Sequence, residues 1–348
     1  MTWPSRARLV PAVFLLAASI ASFALSVWRD WTSPGPLPES TVLVLPKGGG
    51  LVSITLALQR GGIISHSWVF LLGAEVSGKA SHLRAGEFEF PAAITPSEVA
   101  ELLASGKMVQ HRLTIPEGLT SEEIVALVNG EPALDGSIAK VPPEGSLLPQ
   151  TYFFLLGDRR SALIERMERS MAVAVAENWN KRNSNLPLAN SRDAVILASI
   201  VEKETAREDE RAHIAGVFLN RLRLGIRLQA DPTVVYALTQ GKGPLDRPLT
   251  HEDLSVDSPY NTYIVKGLPP GPIANPGLAA LRAVLHPMAS EDLYFVAIGD
   301  GSGRHVFAKT LAEHNDHVAD LRRAQSQAAT PAPPAGAPGH AAPPGAAR

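Results

Sequence analysis

The chain of 348 residues has no cysteine. That absence excludes a disulfide scaffold, a thiolate zinc site, an iron–sulfur cluster and a cysteine nucleophile. It leaves the redox compartment open, because a cysteine-free chain persists in either. An excess of one charge sign is also lacking. The 32 Lys and Arg balance 34 Asp and Glu to a net charge of −2, without the basic surplus of a general nucleic-acid binder. The ten histidines are scattered and no HExxH pattern occurs, so neither a catalytic metal nor another cofactor is expected. No internal repeat is visible. Turn chemistry is plentiful, with 29 Pro and 28 Gly. Apolar residues make up 45% of the chain, enough to core roughly two domains.

The two ends differ from the middle. Leu9–Trp28 (LVPAVFLLAASIASFALSVW) carries no charge. As a helix it would be about 30 Å long and would cross a bilayer core. Arg6 and Arg8 precede it, which predicts a cytoplasmic N-terminus over residues 1–8 and an outward-facing remainder. Trp3, Trp28 and Trp31 are expected in the interfacial belts. A cleaved signal peptide is the other reading, since Ser19-Ile20-Ala21 and Ser22-Phe23-Ala24 are small-residue sites. The run exceeds the usual apolar core of about 7–15 residues, so a retained anchor over 9–28, single-pass in the inner membrane, is expected. Residues 325–348 are mostly Ala, Pro and Gly and should be a disordered tail.

Between the ends, Thr41–Gly49 reads as a strand and turn. Leu51–Ile64 and His66–Gly78 read as helices, Leu83–Phe90 as a strand, and Thr95–Leu103 as a helix ending near Gly106. Residues 41–110 thus form a small βααβα module. From residue 111 to 324 a larger domain follows: a strand at His111–Ile115, a helix at Thr120–Asn129, a Pro/Gly loop at Val141–Pro149, a long helix at Ala162–Asn178, and one or two helices over Arg192–Leu224. Gln229–His286 looks loop-rich. Paired strands at Leu293–Ile298 and His305–Phe307 and a closing helix at Lys309–Arg323 complete it. Irregular interleaving favours an α+β fold over a doubly wound one.

One glutamate stands out. In the helix around Ala198–Thr205 (ASIVEKET), the positions three, four and seven before Glu204 are Val201, Ile200 and Leu197, so Glu204 continues an apolar stripe. A desolvated carboxyl at the wet end of such a stripe stays protonated near neutral pH, as a general acid must. Glu202 lies about 160° away around the helix. The alternative is that both glutamates are solvated and pair with Lys203, Arg207 or Arg211, and helix geometry alone leaves it open. Loops farther on supply Gln229, Asp231, Tyr236, Asn261, Thr262 and Tyr263. Such amide, hydroxyl, carboxylate and aromatic groups suit a sugar, although Asp-Pro and Pro-Tyr-Asn also make ordinary turns.

ASIVEKET, then VFLNRLRLGIRLQADPTVVYAL (Val217–Leu238), then SPYNTYIVKGLPPGPIANPG (Ser258–Gly277) resemble the YceG-like, or MltG, family of endolytic murein transglycosylases. Ile115–Gly118, Leu83–Phe88 and Tyr294–Val296 followed by Gly303–Phe307 add to the likeness, which covers about residues 40–320. The resemblance implies that Glu204 is catalytic, that the MurNAc–GlcNAc bond inside glycan strands is cleaved to leave 1,6-anhydro-MurNAc, and that 41–110 is a LysM-like glycan-binding module. It also implies substrate-binding roles for Glu202, Gln229, Asp231, Tyr236, Asn261, Thr262 and Tyr263, and contact with cell-wall synthases. Arg221, Arg223 and Arg227 would meet acidic peptide stems or simply solvate the surface. One departure is Gln150 in Pro149-Gln150-Thr151-Tyr152, where the family often has Asp. Two rival readings stay open: a muramidase that uses water, and a non-catalytic glycan binder.

Overall fold

The computed structural model describes residues 6–328; the expected cytoplasmic stretch up to residue 5 and the tail from 329 lie outside them. The chain divides into two compact units. The first comprises residues up to 114 together with 128–138 and 151–163; the second comprises 115–127, 139–150 and 164 onward.

The chain opens with helix α1 (Arg6–Thr32). Its Pro11–Thr32 stretch is long and apolar enough to cross a membrane. After it come β1 (Thr41–Leu45), α2 (Gly50–Arg60), α3 (Ser67–Val76), β2 (Gly86–Phe90) and α4 (Pro96–Ser105). β1 and β2 pair antiparallel with Leu43 opposite Phe88, and alternation turns Leu45, Phe88 and Phe90 into the core beside Leu58, Phe70 and Leu103. Thr95 and Glu98 form a capping box at the start of α4, and left-handed Gly106 ends it. The βααβα order matches the sequence reading.

Two expectations fail in this unit. Trp31 is not at a membrane belt but buried in the core, 7% exposed, seated against Gly73, where a Cβ would come within 2.2 Å of its ring. The expected boundary at residue 110 also shifts. β3 (His111–Thr114) takes its partner far ahead in sequence. The chain first forms α5 (Ser121–Gly130) and β4 (Leu134–Asp135), then β5 (Thr151–Phe154), which pairs with β3, and β6 (Asp158–Arg159), which pairs with β4. No local pattern announces pairing at that separation.

The second unit continues with α6 (Arg160–Asn180), α7 (Ser191–Glu204), α8 (Glu208–Arg223), α9 (Asp231–Thr239), α10 (Leu278–Leu285), β7 (Tyr294–Ala297), β8 (His305–Ala308) and α11 (Leu311–Ala328). Its core is built on α7, whose residues Ala194–Val201 are all buried, with Phe218, Leu219 and Leu281 against them. Asn190 caps α7 by accepting the Asp193 N–H, while Asp193 accepts the Ala189 N–H. The 229–286 stretch is less loop-rich than expected: Asp231-Pro232 opens α9 with proline in its first turn. α11 runs to Ala328, into the stretch expected to be tail.

Candidate active site

Glu204 is the last residue of α7, whose middle residues Ala194–Val201 are all buried. Position, not sequence pattern alone, gives it two properties. Its carboxyl has little water around it, and it stands at the helix end, where the chain turns out through Thr205. Burial, with the Asp231 charge adding to it, pushes the Glu204 carboxyl up from 4.5 to about 8; the Arg221 charge acts the other way. The group is therefore protonated at neutral pH.

Asp231 arrives from the N-terminus of α9, placed by a tightly stitched turn. Gln229 adopts a left-handed backbone with φ 50°, and its N–H donates to the Thr262 carbonyl at 3.1 Å. Ala230 N–H donates to the Thr262 hydroxyl at 3.0 Å, which also shares a 2.8 Å hydrogen bond with Thr233. The Tyr263 hydroxyl then donates to Asp231 Oδ1 at 2.5 Å. Burial and the Asp231 contact push the Tyr263 phenol well up, so it remains a donor.

The sequence-predicted residues thus divide. Glu204, Asp231 and Tyr263 are brought together, and the Gln229 side chain is exposed beside them. Asn261 and Thr262 are fully buried. The Asn261 amide donates to the Leu254 and Val256 carbonyls and accepts from Tyr263 N–H, so these two polar groups hold the loop instead of facing a ligand. Glu202 points elsewhere: its Oε2 accepts Gly277 N–H at 2.9 Å, and Arg211 is 3.8 Å from Oε1. Tyr236 lies against Tyr260 with ring centroids 4.8 Å apart; burial and Glu144 raise its phenol to about 12. Gln150 is exposed, and its carbonyl accepts Ile115 N–H.

Two features went unpredicted. Arg221 is neither on the surface nor free for peptide stems. It is buried, donates from Nε to Leu293 O at 2.6 Å and from Nη1 to Leu228 O at 2.7 Å, and stands over the Tyr294 ring at 5.1 Å. Its spacing of three from Phe218 and four from Val217 was the available signal, since both face the core. Glu144 is the second. Its Oε1 accepts Ser121 N–H at 2.8 Å and the Asn275 amide at 2.9 Å, and burial raises it to about 6; nothing in its Pro/Gly surroundings signalled this. Among the described residues no group of three metal-ligating side chains converges.

The model of the YceG-like family matches residues 43–320. An endolytic murein transglycosylase of Bacillus subtilis (strain 168) is 32% identical over 307 residues, covering 78% of this chain and 82% of that protein. One of Streptococcus pneumoniae serotype 2 (strain D39) is 29% identical over 323 residues, covering 79% of this chain and 57% of that longer protein. The 2.6 Å crystal structure of a yceG-like protein from Listeria monocytogenes shares 32% identity, covers 80% of this chain and 99% of its own, and has a TM-score of 0.49.

Proposed function

The chain belongs to the YceG-like family, and on that premise we propose that it is a membrane-anchored endolytic transglycosylase of peptidoglycan. It cleaves the MurNAc–GlcNAc bond within glycan strands and leaves 1,6-anhydro-MurNAc ends. The observation that carries this reading is Glu204, a carboxyl kept protonated to about pH 8 at the end of a buried helix.

Glu204 gives its proton to the leaving GlcNAc oxygen as the C1–O bond breaks and positive charge develops on MurNAc C1. The carboxylate it becomes is steadied by the Arg221 charge. It then takes the proton of the C6 hydroxyl on the same sugar, whose oxygen closes onto C1, and so returns to its starting state. Because the nucleophile is intramolecular, orientation supplies rate that a second carboxylate gives a hydrolase. Asp231, held by Tyr263, stabilises the developing cation; Gln229, Tyr236 and Tyr263 contact the sugars. The βααβα module (41–110) acts as a LysM-like holder of the strand, and α1 keeps the enzyme on the outer face of the inner membrane, near nascent strands and their synthases.

A muramidase is the second reading, favoured by one observation: the Asp231 charge close enough to Glu204 to raise it, as a second carboxylate in a hydrolase would be. Mass spectrometry of products from uncrosslinked strands decides. Anhydro ends, about 18 Da lighter than hydrolysis products and absent with Glu204→Gln, are expected; reducing MurNAc ends would make the enzyme a muramidase. Strand retention without cleavage by the wild-type chain would leave only a binding protein.

A further inference from the structure

The first unit shows an apolar helix face that the described residues leave largely uncovered. On α3, Trp68, Leu72 and Val76 recur every four residues and so share one side; they are 47%, 42% and 81% exposed. The opposite side, with Phe70 and Ala74, is buried in the core, and Val69 at the edge of the stripe is buried too. A soluble unit rarely leaves such a stripe to water.

The neighbour of this stripe says what covers it. Trp68 stacks on Phe23 of α1, with centroids 6.0 Å apart and planes within 12°. Leu72 and Val76 share an apolar groove of about 480 Å³ with Phe23, Val27 and Trp28. The polar start of α3 goes the other way: Ser65 and His66 line a small cavity with Asp30, Ser33 and Pro34. The charge-free run of α1 ends at Trp28, before Arg29 and Asp30. Phe23 is five residues earlier, about 7.5 Å deeper along a helix rising 1.5 Å per residue. If α1 spans the bilayer up to Trp28, the ring stacked on Phe23 stands below the hydrocarbon boundary.

We propose that α3 is an interfacial helix whose Trp68–Leu72–Val76 face lies in the outer leaflet among lipid acyl chains, seating the first unit directly on the membrane. The groove beside Phe23 and Val27 is then filled by lipid. This rests on the anchor reading of α1. Its consequence is that the unit is a fixed mount rather than a body on a loose tether.

The cysteine-free chain takes a single spin label without background. The test places one cysteine at a time (Leu15→Cys on α1, Leu72→Cys and Val76→Cys on α3, Val52→Cys on α2) in the full chain in phosphatidylethanolamine–phosphatidylglycerol nanodiscs. Accessibility to oxygen and to an aqueous nickel chelate is then measured. At positions 72 and 76, as at 15, the oxygen-to-nickel ratio should be several-fold above that at 52. A ratio at 72 and 76 equal to that at 52, with 15 still lipid-like, would overturn the proposal and leave the anchor standing. A water-like ratio at 15 would remove the anchor and the proposal together. Protection from both reagents, or dipolar broadening between labels, would overturn it in favour of a protein partner or a second copy.

Discussion

Replacing Glu204 by Gln should stabilise the second unit, and the gain should grow with pH. The carboxyl titrates at about 8 in the folded chain against an ordinary 4.5, so the folded state holds the proton more tightly than the unfolded one. Below 4.5 both states are protonated and nothing is lost. As pH rises from 4.5 to 8 the unfolded state ionises first, and stability falls by up to about 1.4 kcal/mol per pH unit. The full interval amounts to about 5 kcal/mol above pH 8, an upper figure because the side chain keeps a water-facing edge. At pH 7 the corresponding upper figure is about 3 kcal/mol. Gln keeps the shape without the charge, so the melting temperature of the variant should exceed that of the parent by roughly 6–12 °C at pH 7 and by little near pH 4.5. Thermal unfolding of both proteins across pH 4.5–9 reads this directly. A difference that does not change with pH would refute the claim that burial raises Glu204, and the acid role with it.

Three further outcomes follow from the same geometry. Glycan cleavage should fall as pH rises through about 8, and Asp231→Asn should move that limb to lower pH by removing a charge that raises Glu204; a limb that stays in place, measured by initial rates, would separate the two groups. Asn261→Ala should cost about 1–3 kcal/mol in urea unfolding, because two half-buried carbonyls lose their donor; a loss of activity with stability unchanged would instead return Asn261 to direct sugar contact. Arg221→Met should move the alkaline limb of the rate profile upward and lower stability by about 3 kcal/mol or more, since Leu293 and Leu228 lose their partner; an unmoved limb would separate Arg221 from Glu204.

What the sequence revealed and what it hid share a physical cause. Periodicity is local, so the βααβα order, α7 and the stripe leading to Glu204 were readable. Pairing across a distance is not local: β3 reaches β5, and Arg221 finds its carbonyls at Leu228 and Leu293 only after folding. Residue type also misleads about direction. Asn261 and Thr262 have the chemistry of sugar ligands, but their donors and acceptors are consumed inside the loop. Asp231 has the chemistry of a turn, yet it opens a helix and meets Tyr263.

The buried ties of that loop have an entropic consequence. Thr262 holds Ala230 and Thr233, and Asn261 spans two carbonyls, so the backbone that presents Asp231 and Tyr263 is ordered before any strand arrives. Each mobile side chain a ligand must freeze costs about 0.5–1.5 kcal/mol of affinity. Here that ordering is completed once, during folding, rather than at every encounter, so a long polymer can be gripped briefly, cut and let go without the site reassembling between turnovers.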